Sequence, residues 1–277
     1  MKVFLTGATG FVGYALLNRF ITDGNKLSVL VRNESVGLPV CVRKIVGDLA
    51  ELEEMPDRVR HDDFYCVLRD ADVVVHAAAR AHIMKDKSVD PLVEYRKVNR
   101  DATLALARIA AESGVSRFVF LSSIGVNGNQ NTRPFTGTDL VNPHNAYSLS
   151  KYEAEQGLLE IANETGMELV IIRPPLVYDA NAPGNFGSLV KWVKKGVPLP
   201  LGAVHNQRSL VALDNLVDFI ELCADKEKSP KAANQVFLIS DGEDVSTSEL
   251  LRKVANAYGV KSRLLPVPVS LMKLVAK

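Results

Sequence analysis

The sequence predicts an α/β protein built on a doubly wound parallel sheet, and three observations carry that expectation. Short apolar runs alternate with longer amphipathic runs from residue 2 to residue 178. The first apolar run ends in a glycine loop, Gly7-Ala-Thr-Gly10-Phe-Val-Gly13, which opens directly into an amphipathic run. The 277 residues are 47% hydrophobic and 23% charged, enough for one large α/β core with a smaller lobe.

Residues 2–6 read as a buried first strand and 14–21 as a helix. Strand, glycine turn, helix is the setting that a dinucleotide fingerprint needs. Gly7 permits the tight turn. Gly10 lets backbone approach a pyrophosphate at the positive helix N-terminus, and Gly13 lets the helix pack close to the strand. Gly7, Thr9, Gly10, Phe11, Val12 and Gly13 are therefore candidate cofactor contacts. The spacing is G-x-x-G-x-x-G, so the context carries the reading more than the glycines do.

Residues 26–32 form a second strand ending in Arg32, where an acidic residue would accept from the ribose of NAD. Arginine suits a 2′-phosphate, which tilts the expectation toward NADP; a solvated arginine that stacks on adenine is the other reading. Residues 42–46 form a third strand closed by Asp48-Leu49, where the carboxylate either accepts from adenine or caps a helix. Residues 72–76 form a fourth, followed by Ala77, Ala78 and Ala79, small enough for a cofactor to lie against backbone. His76 at its end reads as a buried histidine satisfied by hydrogen bonds. Residues 89–112 form one long helical region stopped by Ser113-Gly114, and 117–123 a fifth strand ending in Leu121-Ser-Ser123. Glycine loop, Asp48, Ala77–Ala79 and Ser122-Ser123 all fall at carboxyl ends of strands, where ligands bind such sheets. This is the Rossmann-type arrangement.

Tyr147 and Lys151 are four residues apart, hence on one face of a helix. A free phenol titrates at about pH 10; a fixed ammonium beside it favours phenolate and brings it toward the working range. Beyond residue 178 the β/α rhythm loosens. Residues 180–187 read as loop, 188–195 as helix, 210–213 and 236–239 as strands, and Ser246 with Glu249 as a capping box. The expected division is a dinucleotide-binding domain over 1–178 and, over 179–277, mostly a substrate-binding lobe with segments returning to the main sheet. The apolar stretch 264–277 is expected to dock as a terminus; a truncated chain, or a segment meeting a partner or membrane, are the alternatives.

Net charge is +1, so no field of one sign points to nucleic acid. Cys41, Cys66 and Cys223 suggest neither a disulfide framework nor metal-ligand spacing, which favours a reducing, cytoplasmic setting and no metal. No apolar run reaches membrane-span length.

The motifs Thr6-Gly-Ala-Thr-Gly-Phe-Val-Gly13, His76-Ala-Ala-Ala79, Val98-Asn99, Leu121-Ser-Ser-Ile-Gly-Val-Asn-Gly128, Tyr147-Ser-Leu-Ser-Lys151, Arg173-Pro-Pro-Leu-Val-Tyr178 and Arg208-Ser-Leu-Val211 occur in this order. Their combination resembles the extended short-chain dehydrogenase/reductases, within them the NAD-dependent epimerase/dehydratase family acting on nucleotide sugars. The resemblance implies NAD or NADP as cofactor, a homodimer, and roles by position. Ser123 would bond the reacting oxygen, Tyr147 would be the acid/base, and Lys151 would hold the nicotinamide ribose and lower the tyrosine pKa. Asn99 is similar to the family's structural asparagine near the cofactor, and Pro174 and Val177 would meet the nicotinamide end, with Leu121 among the cofactor contacts. Asn185 and Arg208 would bind substrate, Arg208 at the nucleotide diphosphate.

Three departures from the family pattern stand out. Family 4,6-dehydratases carry an acidic pair where this chain has Ile124-Gly125, so elimination of water is not expected. Asn127 replaces a common tyrosine, and Asp179 stands where glycine often follows Val-Tyr. The resemblance therefore implies a UDP-sugar 4-epimerase working through a 4-keto sugar, with an NADPH-dependent 4-ketoreductase as the alternative. A non-catalytic NAD(P)-binding sensor or scaffold is the reading from another class.

Overall fold

The computed structural model describes residues 1–34, 36–52, 64–81, 88–268 and 270–272. The chain divides into two units, Met1–Pro174 with Asp214–Ile239, and Pro175–Leu213 with Ser240–Lys277.

In the first unit β1 (Lys2–Thr6) lies inside the sheet, paired in parallel with β2 (Lys26–Val31) and with β4 (Val73–His76). Adding β3 (Arg43–Val46), β5 (Arg117–Leu121), β6 (Glu168–Arg173) and β9 (Gln235–Leu238) gives the order β3-β2-β1-β4-β5-β6-β9. Every pairing is parallel. Strands so covered need apolar side chains on both faces, which is why β1, β4, β5 and β6 read as near-continuous runs of Val, Ile, Leu and Phe. The winding reverses between β1 and β4, the place where open α/β sheets leave a crevice.

Helices fill the crossovers: α1 (Phe11–Thr22), α2 (Tyr65–Arg69), α3 (Pro91–Arg96), α4 (Ala102–Glu112) and α5 (Ala146–Thr165). The single helix expected over 89–112 is continuous but carries a π-helical stretch, Lys97–Asp101, between α3 and α4. The added residue turns Asn99 fully inward, and π-stretches of this kind gather at functional sites. Asp90 caps α3 through the Leu92 and Val93 N–H groups, with Pro91 pre-set at the first position. Phe4, Phe118, Phe120, Leu106, Leu158 and Ile171 join one buried cluster, each contributing roughly 1.5–3 kcal/mol of apolar burial.

α5 begins where the Asn145 side chain accepts from the Ser148 N–H at 2.8 Å. Its buried stripe includes Ala154, Leu158, Ile161 and Ala162, but also Lys151 and Glu155. Two charged residues in a stripe that should be apolar make this helix unusual.

The glycine loop is closed by geometry at two points. Gly7 has φ +76°, and a Cβ there would lie 2.6 Å from the Ala78 nitrogen. At Gly13 a Cβ would lie 2.0 Å from the Gly7 carbonyl oxygen. Gly13 therefore packs α1 against the loop backbone itself.

In the second unit β7 (Leu176–Tyr178) pairs in parallel with β8 (Leu210–Ala212). α6 (Gly184–Lys194) starts four residues before the helix expected from the sequence. Two glycines made 184–187 read as loop, yet Gly187 is where a Cβ would meet the Ala182 carbonyl oxygen at 2.1 Å. α7 (Leu213–Ala224) begins at the unit boundary. α8 (Thr247–Ala257) opens with the expected capping box, Ser246 with Glu249. Leu264 packs on the cluster of Val193, Leu199, Leu251 and Ala255, so the final apolar stretch docks within its own unit through its first residues. Residues 269 and 273–277 of it lie outside the described residues.

The loop contact can be measured against a neutral glycine. Gly24 has φ +72° and open space around it, so Gly24→Ala should lose about 1–2 kcal/mol, the left-handed penalty. Gly13→Ala should lower the urea midpoint further. Equal losses would contradict the close approach of α1 to the loop.

Candidate active site

The loop after β1 forms a backbone floor. The Gly10 N–H donates to the Gly7 carbonyl at 2.9 Å, and Gly10 stands at the α1 N-cap with no side-chain cap. No acidic residue occupies the first turn, so the first N–H groups of α1 have no intrahelical acceptor and no competing anion. Thr9 and Gly10 are exposed, and Phe11 and Val12 half-buried. A side chain at Gly7 would strike the backbone of Ala77 and Ala78, so the ends of β1 and β4 meet without side chains between them. A flat dinucleotide with a pyrophosphate fits such a floor, which any Cβ at Gly7 would fill.

The other expected cofactor residues also sit at carboxyl strand ends. Arg32 is exposed one residue past β2. Asp48 follows β3, its carboxylate accepting from the Ala50 N–H at 3.0 Å as the cap of a short 3-10 turn, Leu49–Glu51, in which Leu49 is buried. Ala77 and Ala78 are half-buried, Ala79 exposed. His76 is structural. Its Nε2 lies 2.9 Å from the Thr103 hydroxyl, and its Nδ1 lies 2.7 Å from the Thr6 hydroxyl. Burial, and then the Lys151 charge, push its pKa well below the usual value. Asn99 bonds only protein: its carbonyl oxygen accepts from the Arg80 N–H at 2.8 Å, and its amide donates to the Arg80 carbonyl and to Ser150. It thus ties the segment after β4 to α5 beside Lys151.

The end of β5 gathers the reactive groups. Ser123 caps a 3-10 turn, Ile124–Val126, through the Gly125 N–H at 3.1 Å, and its side chain is near enough to Tyr147 to pull the phenol pKa down. Lys151 Nζ donates to the Leu121 carbonyl at 2.9 Å and lies 4.4 Å over the Phe120 ring centre. A Cβ at Gly125 would sit 3.1 Å from the Ser148 hydroxyl and 3.3 Å from that of Ser123. An acidic side chain at Gly125, as dehydration requires, would crowd the very serine that Tyr147 addresses.

The tyrosine–lysine logic needs a correction. The Tyr147 phenol is pushed up to about 12, by burial and then by Tyr95, whose ring lies edge-on with centroids 6.1 Å apart; the Ser123 side chain opposes this. Burial lowers Lys151 to about 7, partly offset by Glu155. Proximity of charge was the only effect read from spacing; desolvation acts on both groups and is larger.

Pro174 closes the first unit, its carbonyl accepting from the Ile124 N–H at 3.0 Å. Val177 lies in β7 of the second unit, half-buried. Arg208 is exposed in that unit, its backbone bridged to Val245 at 3.0 Å. Asn185 falls in the first turn of α6, and its side chain lies outside the described residues.

Sequence reasoning missed a buried network behind the lysine. Glu155 receives two guanidinium N–H groups of Arg173, one at 2.9 Å, and the Ser122 hydroxyl at 2.5 Å. Arg173 also donates to Asn127 at 3.0 Å. Spacing alone gave no signal for it, since a glutamate four residues after Lys151 becomes notable only once both are seen to be buried. Among the described residues no group of three or more His, Cys, Asp or Glu gathers to hold a metal ion. No helix among them is long and apolar enough to cross a membrane.

Residues 3–239 match a family model described as NAD dependent epimerase/dehydratase family. UDP-glucose 4-epimerase of Vibrio cholerae is 44% identical over 279 residues, covering 100% of this chain and 81% of that protein. N-acetyl-alpha-D-glucosaminyl-diphospho-ditrans,octacis-undecaprenol 4-epimerase of Escherichia coli O157:H7 is 30% identical, covering 98% and 77%. Among solved structures, UDP-glucose 4-epimerase from Thermotoga maritima with UDP-glucose superposes with a TM-score of 0.77 at 23% identity, covering 97% of this chain and 86% of that one. The Thermus thermophilus enzyme complexed with NAD gives 0.76 at 23%, covering 97% and 86%. At such identity the structures speak for the fold.

Lys151 offers a test of the burial. Its pKa falls on folding from 10.5 to about 7, so between those values the folded chain binds fewer protons than the unfolded one. Its contribution to stability therefore rises with pH across that window, by about 1.4 kcal/mol per pH unit at most. In urea melts, wild type should gain on Lys151→Met as pH rises above 7. A constant difference would mean the ammonium is not desolvated.

Proposed function

Because the chain belongs to the NAD-dependent epimerase/dehydratase family, we propose that it is a UDP-sugar 4-epimerase that inverts the hexose C4 hydroxyl through a 4-keto sugar. The observation that carries this is Ser123, Tyr147 and buried Lys151 gathered at the end of β5 in a chain 44% identical to a UDP-glucose 4-epimerase. UDP-glucose and UDP-galactose are the proposed pair, the N-acetyl forms being the next candidates.

NAD bound here would supply the acceptor and donor of the C4 hydride. The glycine loop from Gly7 to Gly13 would hold the pyrophosphate, with Arg32, Asp48, Leu49, Ala77, Ala78, Ala79 and Leu121 along its length and Pro174 and Val177 toward the nicotinamide. Ser123 holds the C4 oxygen. Tyr147 exchanges the proton at that oxygen. A phenol held near 12 is protonated at rest, which suits donation to the keto oxygen. To accept the proton it must come down, and Lys151, on the same helix face, is the cation that favours phenolate. Lys151 would also bond the nicotinamide ribose. Arg208 would pair with the diphosphate and Asn185 with the sugar. In this reading residues 1–178 serve the dinucleotide and most of 179–277 the sugar nucleotide. The enzyme would work as a homodimer in the cytoplasm, a setting that the free thiols of Cys41, Cys66 and Cys223 suit.

Arg32 favours the second reading, an NADPH-dependent 4-ketoreductase, since an exposed guanidinium past β2 suits a 2′-phosphate. Incubation with UDP-glucose and no added cofactor separates them. UDP-galactose should form, and nucleotide released from the denatured protein should be NAD. NADPH oxidation by a 4-keto sugar without epimerisation would replace the epimerase with the reductase.

Tyr147→Phe should keep its nucleotide and lose turnover by about 10²–10⁴, the range for a positioned acid/base. Undiminished turnover would refute the role of the phenol.

A further inference from the structure

Lys151 is an ammonium in a place that disfavours one. It is 1% exposed, sealed between the Phe120 ring and the Leu121 carbonyl, and His76 on β4 is near enough to feel its charge. One turn further along α5 stands Glu155, also 1% exposed. Residues four apart on a helix share a face. Their contacts run in parallel, Lys151 to Leu121 and Glu155 to Ser122, adjacent residues at the end of β5. The Glu155 carboxylate is fixed on three sides, by two Arg173 N–H groups and by the Ser122 hydroxyl. Arg173 is held in turn by Asn127, whose amide donates to the Thr136 carbonyl at 3.3 Å.

We propose that Glu155, clamped by Arg173 and Ser122, is a positioning residue for the reaction: its fixed carboxylate supplies the counter-charge that keeps Lys151 an ammonium at the end of β5. The proposal rests on the catalytic reading of Lys151 and deepens it. Burial alone drives the lysine toward the neutral amine, and Glu155 is the group that opposes burial. The other charged or titratable groups facing the lysine give no help. Tyr147 on α5 is a neutral phenol, His76 on β4 is neutral, and Arg173 on β6 is itself a cation behind Glu155. Asn127, which stands where a tyrosine is common in the family it resembles, acts at one remove by occupying the third arm of the guanidinium.

Two readouts test this, one of which needs no activity. In ¹³Cε-lysine NMR of the full chain, with Lys151 assigned by Lys151→Met, Glu155→Gln should shift the Lys151 midpoint to lower pH by about 1–3 units. Arg173→Gln should shift it upward, since a cation behind the carboxylate is removed. Glu155→Asp, which keeps the charge, should leave it near the wild-type position. In kinetics, the alkaline limb of kcat/KM should move down in Glu155→Gln, with activity recovering as pH falls. A purely structural carboxylate would lower activity at every pH and leave the limb in place. If Glu155→Gln does not fold, Glu155→Gln/Arg173→Gln, which removes both partners of the buried pair, carries the test: its Lys151 midpoint should lie below that of Arg173→Gln. An unmoved Lys151 midpoint on loss of the Glu155 charge, in either background, overturns the proposal. A midpoint that moves while the kcat/KM limb stays put overturns the catalytic reading of Lys151, and the proposal with it.

Discussion

Leu121, Ser122 and Ser123, three successive residues at the carboxyl end of β5, are each met by a residue from one face of α5. Lys151 bonds the Leu121 carbonyl, Glu155 bonds the Ser122 hydroxyl, and the Tyr147 phenol is near enough to Ser123 for the serine to lower its pKa. Positions 147, 151 and 155 are spaced by fours, so a straight helix lying along the strand end suffices to make all three contacts. The rest of the first unit serves that alignment. Asn145 fixes where α5 starts, and Asn99, turned inward by the π-helical stretch, bonds Ser150 and so fixes its rotation. The cluster through Leu158, Ile161 and Ala162 holds α5 to the sheet.

This alignment sets stability against chemistry. A lysine and a glutamate one turn apart on α5 and an arginine of β6 bonded to that glutamate are all buried, and removing ions from water is unfavourable by several kcal/mol each before pairing offsets it. Buried pairs of this kind are weak evidence of stabilisation. Their use lies in electrostatics: burial raises the phenol to about 12 and lowers the amine to about 7, so two groups that titrate alike in water are pushed apart and the amine is the one brought near neutrality. His76, by contrast, has both ring nitrogens bonded to threonines and carries packing at the crossover between β1 and β4.

Most of this unit was legible because buried parallel strands and amphipathic helices have different periods, and because glycine loops announce themselves. The glycine-floor positions, Asp48, Ala77 to Ala79, Ser123 and the helix face of Tyr147 and Lys151 were all readable from spacing. Glu155 was not, since a glutamate in a helix is unremarkable until burial is known. The direction of the Tyr147 shift was misjudged for the same reason: spacing reveals which charges are near, never how much water is lost. The start of α6 was hidden by Gly184, which takes a left-handed φ of +70°, and by Gly187, whose small size serves close packing against the Ala182 carbonyl. Short strands such as β7 and β8, three residues each, lie near the limit of what alternation can signal.

A crystal structure of the chain with NAD and a UDP-hexose tests the central claim most directly. The account predicts Tyr147 Oη and Ser123 Oγ both within hydrogen-bond reach, about 3 Å, of the sugar O4, with Lys151 still at the Leu121 carbonyl or turned to the nicotinamide ribose. A sugar whose C4 lies away from Tyr147, or a nicotinamide ring remote from the end of β5, would contradict it.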